Sequence, residues 1–290
     1  PFDGLFTQGM VCHETYKDQN NNWLNPEEIF SKDGKKFFKK DNPSEEVIVG
    51  PIESMSKSKK NTIDPESIIK NYGADSVRLF ILSDSPPEKD VQWSDQGMIA
   101  SFKFIQKLWV LNSKILEKIK NETETETETK TVDENLTKFT NQLIYKITQN
   151  LNKFHYNVIV ANLYEMYNFL IKEIEKPIKK QILIENYKKI LILMNPFIPH
   201  LTAECLNNFS NEKINWPTVS KDELIQEEIN FVIQINGKKR AILRLKRDLD
   251  ENEILNEIES NIDVKKLLKD QKIQKTIFVS NRLINIILMK

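Results

Sequence analysis

In the middle of the chain, apolar residues recur three and four apart, the period of a helix buried on one face. After Ser94, a suitable cap, Met98, Phe102, Ile105 and Trp109 share such a face. The same spacing over residues 134–155, 158–175 and 182–208 predicts further helices, and a bundle is their economical packing. Tyr145, Tyr156, Tyr164 and Tyr167 fall near helical spacing and read as core or bundle surface. The bundle ends at Trp216-Pro217.

The pattern changes on either side. Towards the start, Leu5-Phe6-Thr7 and Met10-Val11 bracket Gly9 in an expected strand, and Asp33-Gly34 marks a hairpin turn within lysine-rich residues 32–40. Val47-Ile48-Val49 runs into Gly50-Pro51, which reads as a break. Asp64-Pro65-Glu66 is a helix start: a capping carboxylate, proline at the first helical position and an acid in the first turn. Tyr72-Gly73 ends that helix, and Asp75 is placed to cap the next, which carries Val77, Phe80 and Ile81. Towards the other end, residues 231–235 and 241–245 alternate around Asn236-Gly237, a type I′ hairpin signal. Asp250 with Glu253 then reads as a capping box, and residues 276–279 and 283–288 as closing strands.

With Pro86-Pro87 as a first boundary, the expected organisation is an α/β segment over residues 1–88, an all-α bundle over 89–222 and a small α+β domain over 223–290. Residues 121–130 alternate Thr and Glu without an apolar face and are expected to form a loop. A 39% hydrophobic and 29% charged composition is that of a globular chain. No apolar run approaches the roughly 18–20 residues of a membrane helix, since Asn195-Pro196 cuts the run at 190–194. Two cysteines, Cys12 and Cys205, make neither a disulfide framework nor a zinc cluster and point to a reducing, cytoplasmic compartment. Cys12-His13-Glu14 is no metal site either, because three adjacent side chains cannot converge on one ion; none is expected. The chain opens Pro1-Phe2-Asp3 without a leader, as if entered partway through a longer protein.

Net charge is zero, with 42 basic and 42 acidic residues, so the distribution matters more than the sum. Residues 236–247 carry Lys238, Lys239, Arg240, Arg244, Lys246 and Arg247 and no acid, residues 248–263 are acidic without a base, and the tail turns basic again. A basic face of this kind is the electrostatic footprint of a phosphate backbone, although a solvated hairpin has the same composition.

The sharpest local feature is Glu53-Ser54-Met55-Ser56-Lys57-Ser58-Lys59-Lys60-Asn61, a polar loop directly before the helix capped by Asp64. Lysine ammoniums and serine hydroxyls suit a polyphosphate; a solvated basic loop is the plainer reading.

Met55-Ser56-Lys57-Ser58 matches four positions of the KMSKS signature of the class I aminoacyl-tRNA synthetases, and Tyr72-Gly73-Ala74-Asp75-Ser76-Val77-Arg78 resembles the segment that follows it there. Leu5-Phe6-Thr7-Gln8-Gly9-Met10-Val11, Asp64-Pro65 and the stretch from Ser85-Pro86-Pro87-Glu88 to Trp93-Ser94-Asp95 resemble the bacterial leucyl-tRNA synthetase family. So do Asn195-Pro196-Phe197-Ile198-Pro199-His200, Gln234-Ile235-Asn236-Gly237-Lys238 and Asn281-Arg282-Leu283-Ile284-Asn285, all in the order of that family.

The resemblance implies a fold made of the end of a class I nucleotide-binding domain, an anticodon-binding-type bundle and a C-terminal tRNA-binding domain. It implies ATP with Mg2+ and leucine as substrates, tRNA as partner, and a ligation that activates leucine and moves it to the terminal adenosine. Lys57 takes the role of the catalytic lysine, with Met55, Ser56 and Ser58 shaping an ATP-binding loop. Lys238, Lys239, Arg240 and Arg244 become the tRNA-contacting residues. The first lysine of the signature is Ser54 here, and Lys59 or Lys60 is available to compensate. The HIGH signature and the editing domain lie upstream of Pro1 in the family, so the chain alone is expected to be inactive, with a missing amino-terminal half as a further partner. The alternatives are a non-catalytic tRNA-binding relative and an isoleucine or valine enzyme, the latter disfavoured by the Gln-x-Asn-Gly and Ser-Pro-Pro-Glu segments. His200 reads as a packing or capping residue, and Trp93 and Trp109 as packing between domains.

Overall fold

The computed structural model describes residues 4–32, 34, 36–121, 130–209, 215–220, 222–224, 228–268 and 271–289. The Thr-Glu alternation at 122–129 and Asp33 of the first hairpin turn lie outside the described residues. The chain divides into two compact units, Pro1–Ser220 and Lys221–Lys290.

The first unit begins with a sheet built on β1 (Val11–Lys17). Strand β2 (Trp23–Leu24) pairs antiparallel with its far end. An excursion follows, with a one-turn helix at Pro26–Glu28 and the hairpin β3 (Ile29–Ser31) and β4 (Phe37–Lys39), over a small core of Tyr16, Leu24, Ile29 and Val47. Burial pushes the Tyr16 hydroxyl pKa up, and so does the Glu14 carboxylate to which it donates at 2.8 Å.

Strand β5 (Ile48–Ser54) returns antiparallel along β1 and runs straight through Gly50-Pro51, which therefore breaks nothing. The register slips there: Glu14 faces Ile52 but Tyr16 faces Val49. A bulge is where a sheet tolerates a proline, which has no N–H to donate. Thr15 Oγ1 donates to the Pro51 carbonyl at 3.1 Å and lies 2.4 Å from where a Cβ on Gly50 would stand, so only glycine fits. The first strand also starts later than its sequence suggests, at Val11. Ahead of it Gly9 N–H donates to the Pro87 carbonyl, and a Cβ on Gly9 would stand 2.0 Å from the Lys89 carbonyl oxygen. The chain is held there by backbone contact rather than by a ladder.

Helix α1 (Pro65–Tyr72) starts as its sequence predicts, with the Asp64 carboxylate accepting from the Glu66 and Ser67 N–H groups. Gly73, at φ 81°, joins it to α2 (Ala74–Ser83). A short β6 (Val91–Gln92) then pairs parallel with β1, a strand too brief to leave a pattern. The bundle consists of α3 (Asp95–Asn121), α4 (Lys130–Asn152), α5 (Tyr156–Glu173), α6 (Lys180–Met194) and α7 (Pro199–Leu206). Ser94 caps α3 through the Gly97 N–H. The helix expected over 182–208 is two helices, because Pro196 and Pro199 each lack a backbone donor and the chain turns between them. The core holds Leu79 of α2, Leu108 and Ile115 of α3, Leu163 and Met166 of α5, and Leu183 and Ile190 of α6, so α2 belongs to it as much as the later helices do. Burial raises the Tyr187 hydroxyl pKa and holds the Cys205 thiol at about 11. Among the described residues no helix is long and apolar enough to cross a membrane.

Asp75 does not cap its own helix. It is 6% exposed in the first turn of α2, and its carboxylate accepts from Leu201 N–H at 2.7 Å, His200 N–H at 3.3 Å and His200 Nδ1 at 2.8 Å. It therefore caps α7, where free N–H groups and the helix dipole favour an anion. One turn on, Arg78 Nη2 donates to the Pro196 carbonyl at 2.7 Å and Nε to that of Phe197 at 3.4 Å. His200 therefore belongs to the capped turn and is not itself the cap: its N–H and its exposed ring both meet the Asp75 carboxylate. Trp93 packs edge-on against Phe80 and donates to Asp95. Trp109, by contrast, is 46% exposed and lines an apolar cavity of about 680 Å³ beside Asp75 and His200, where the start of α2 meets α3 and α7.

The second unit is a four-stranded sheet in the order β8-β7-β10-β9, formed by β7 (Glu228–Ile235), β8 (Lys238–Lys246), β9 (Ile273–Val279) and β10 (Leu283–Leu288). Helices α8 (Glu251–Ser260) and α9 (Ile262–Leu268) cover one face around Phe231, Ile233, Ile254, Ile258, Val264 and Ile284. Asn236 and Gly237 turn the β7–β8 hairpin at φ 50° and 77°, and Asp250 and Glu253 form the capping box of α8. Strand β7 pairs parallel with β10, with β8, the helices α8 and α9, and β9 between them in sequence.

Removing the Asp75 carboxylate leaves the first N–H groups of α7 without their acceptor. Asp75→Ala is expected to lower the stability of the first unit by about 1–3 kcal/mol, read as a shift in its urea midpoint. Asp75→Asn, which keeps one acceptor, should lose less.

Candidate functional site

The site is a loop hung between two fixed points. Strand β5 delivers it: Met55 N–H still donates to the Val11 carbonyl, so the ladder extends one residue past Ser54. Helix α1 receives it through the Asp64 cap. Between them Lys57–Lys59 form a single 3-10 turn, closed by Lys60 in the left-handed region at φ 56°. The Ser56 and Ser58 hydroxyls bond each other at 2.7 Å. Met55 is half-buried at the root, and Lys57 and Ser58 are exposed.

Asn61 closes the loop from inside. It is fully buried, its Oδ1 accepts from Ser56 N–H at 2.8 Å, and its Nδ2 faces the carbonyls of His13 at 3.3 Å, Glu53 at 3.3 Å and Ser54 at 3.4 Å. One amide thus ties the loop to both β1 and β5. The sequence shows Asn61 only as the last letter of a polar run; a buried amide leaves no pattern.

The three lysines differ in their surroundings. Lys59 is ion-paired with Glu53. Lys60 occupies the left-handed position that ends the turn. Lys57 has no ion pair among the described residues, and it lines a cleft of about 510 Å³ with Asn25, Glu27, Thr62, Ile63, Asp64 and Pro65. The excursion between β2 and β3 therefore supplies one wall of the cleft, which the sequence does not suggest. Ser54 Oγ lies 3.9 Å from Cys12 Sγ, so the last position of β5 itself brings a hydroxyl and not an ammonium, and the cation nearest this end of the strand is Lys59, on Glu53.

In the second unit Lys238, Lys239, Arg240 and Arg244 are exposed on β8, an edge strand. The turn that presents them is fixed from β10: Gly237 N–H donates to Asn285 Oδ1 at 3.0 Å, and Leu288 N–H to Asn236 Oδ1 at 3.0 Å. Asn281 likewise exchanges two hydrogen bonds with Asp248. The two segments quoted from this region in the sequence thus meet in space.

The sheet that roots this loop and much of the helical bundle that follows it lie in segments that match class I aminoacyl-tRNA synthetase models. Residues 12–94 match the family model "tRNA synthetases class I (I, L, M and V)", and residues 133–255 the "Anticodon-binding domain of tRNA ligase". Along 99% of its length the chain is similar to curated leucine–tRNA ligases, at 40% identity for that of Orientia tsutsugamushi (strain Boryong) and 36% for that of Parvibaculum lavamentivorans. It belongs to the leucine–tRNA ligase family. The chain spans about a third of the length of those relatives, 34% in each case. A crystal structure of the agnB2 LeuRS of Agrobacterium radiobacter K84, in a ternary complex with tRNA and LeuAMS, shares the fold. Its TM-score is 0.66 at 24% identity, over 82% of this chain and 31% of that one.

Because Glu53 holds Lys59, Glu53→Gln is expected to add one cation beside Lys57. The chain's affinity for tripolyphosphate, measured by calorimetry at low salt, should tighten by about two- to fivefold, and the gain should vanish at high salt. An unchanged affinity means that Lys59 is not withheld by Glu53.

Proposed function

We propose that this chain supplies the pyrophosphate-side loop, the helical bundle and the C-terminal tRNA-contacting unit of a leucine–tRNA ligase, acting in the cytoplasm with an amino-terminal part that brings the remaining active site. The observation that carries the reading is Lys57, a lysine with no ion pair among the described residues, on a loop whose root is fixed by a buried amide. In the proposed reaction the leucine carboxylate attacks the α-phosphorus of ATP, an acyl–phosphate bond forms, and the bond to the β-phosphate oxygen breaks. Negative charge grows on the departing pyrophosphate, which leaves with its Mg2+. An ammonium held where that charge develops lowers the barrier without reorganising at the moment of reaction. Met55, Ser56 and Ser58 act by shaping the turn that presents Lys57, and the loop's position over a cleft suits closure on a bound nucleotide.

The basic strand β8 is the proposed tRNA contact. Contacts to phosphate position an RNA without reading its sequence, which suits lysines and arginines on a rigid hairpin. A second reading, a tRNA-binding relative without catalysis, draws on Ser54 and on the Glu53–Lys59 pair, which together leave the loop with less free positive charge than three lysines suggest. The exchange reaction separates the two.

In a ligase whose C-terminal third is this chain, Lys57→Ala should reduce ATP–pyrophosphate exchange by about 10²–10³ and leave the tRNA dissociation constant within about twofold. Equal losses in both would sink the catalytic assignment, and absence of exchange before mutation would favour the second reading. Replacing Lys238, Lys239, Arg240 and Arg244 together by alanine should do the reverse, weakening tRNA binding and flattening its salt dependence by roughly 0.7–0.9 per lost phosphate contact, with leucine activation unchanged.

A further inference from the structure

We infer that Asn61 is the positioning residue of the loop, the group that sets where Lys57 stands; the inference rests on the Lys57 reading above. Ser56, immediately before Lys57, begins the one-turn helix in extended conformation, and no side chain of the turn caps it. Its hydroxyl is spent on Ser58. Its backbone N–H donates to Asn61 Oδ1 at 2.8 Å, across the left-handed residue Lys60 that brings the chain back. The opposite end of the same amide lies against three carbonyls, those of His13 on β1 and of Glu53 and Ser54 on β5.

The surroundings fix the orientation of the amide. One donor stands on one side and three acceptors on the other, so a flipped amide would set its oxygen against carbonyl oxygens and its nitrogen against an N–H. No other side chain of similar size satisfies both sides. Aspartate would put a carboxylate oxygen against the three carbonyls, leucine would remove the acceptor of Ser56 N–H and the donors that face the carbonyls, and serine would keep at most the bond to Ser56. The anchor is also independent of the lysine: it grips backbone on both sides of residues 57–60 and leaves the Lys57 side chain free to move. A preorganised charge is effective only within a fraction of an ångström of its working place, and displacements of about 1 Å cost on the order of a hundredfold in rate.

A role exercised through Lys57 predicts non-additivity, whereas a merely structural role predicts independent losses. In a ligase carrying this chain, Asn61→Asp should lower the maximal rate of ATP–pyrophosphate exchange by about tenfold to a hundredfold, with KM for leucine and tRNA affinity within about twofold. In the Lys57→Ala background the same substitution should cost no more than about threefold, because the group it positions is gone. Full additivity of the two substitutions, or an exchange rate untouched by Asn61→Asp, overturns the inference. A second readout uses the 290-residue chain alone: trypsin should cut after Lys57, Lys59 and Lys60 at least tenfold faster in Asn61→Asp, with cleavage elsewhere unchanged. An unaltered rate there overturns the anchoring whatever the outcome of the kinetics, while full exchange in Lys57→Ala sinks the catalytic reading alone. If Asn61→Asp does not fold, Asn61→Ser, which keeps an acceptor for Ser56, carries both measurements with smaller expected losses.

Discussion

The arrangement of the first unit depends on one buried carboxylate. Asp75 sits in the first turn of α2, one helix after the lysine loop, yet its acceptors are used by the first turn of α7, 125 and 126 residues further on. A helix N-terminus buried without acceptors is unfavourable, and a charged acceptor placed there gains from both hydrogen bonds and dipole. Arg78 adds the complementary half by donating to the carbonyls that end the preceding turn. Acid and base on one face of α2 thus hold both sides of a single chain reversal. Because α2 follows α1 without a linker, and α1 receives the loop, the bundle and the loop share one rigid support.

This explains which features the sequence made legible. The caps at Asp64 and Asp250 and the Asn236-Gly237 turn are decided within a few residues, and each stands where the pattern puts it. Helix α3 forms as its period predicts, but its buried stripe runs through Phe104, Leu108, Leu111 and Ile115 rather than Phe102, Ile105 and Trp109, because neighbouring helices and not the spacing decide which of two apolar stripes faces the core. The class of fold followed from them and from the resemblance. Asp75 was misread because a carboxylate near a helix start looks like a local cap, and nothing nearby reveals that its partners are remote. Gly50-Pro51 was misread because a bulge uses the same residues as a turn; only the Thr15 hydroxyl pressed against Gly50 tells them apart. The site was legible as a charge pattern. Its asymmetry was not: that Lys59 pairs with Glu53, while Lys57 lines the cleft without an ion pair among the described residues, depends on side-chain directions around a single 3-10 turn.

The loop also divides buried anchorage from exposed charge over a short span. Its root is pinned by hydrogen bonds among buried groups, which are hard to break because each broken partner is left without water. Its tip carries the exposed side chains of Lys57, Ser58 and Lys60. In the proposed role, where the loop meets a polyphosphate and then releases pyrophosphate, that division would keep the root in register while the exposed side chains exchange partners.

The edge position of β8 has a consequence for behaviour outside any complex. A free strand edge offers a row of unpaired backbone groups to any other chain, and hydrophobic edges recruit one another into aggregates. On β8, with Ile242 half-exposed in its middle, the lysines and arginines interrupt the edge along its length. Positive charge repels a second copy of the same strand and leaves polyanions as the natural visitors. Protein free of RNA is therefore expected to be kept dispersed by the same residues proposed to hold RNA, so a variant stripped of them would lose solubility along with affinity.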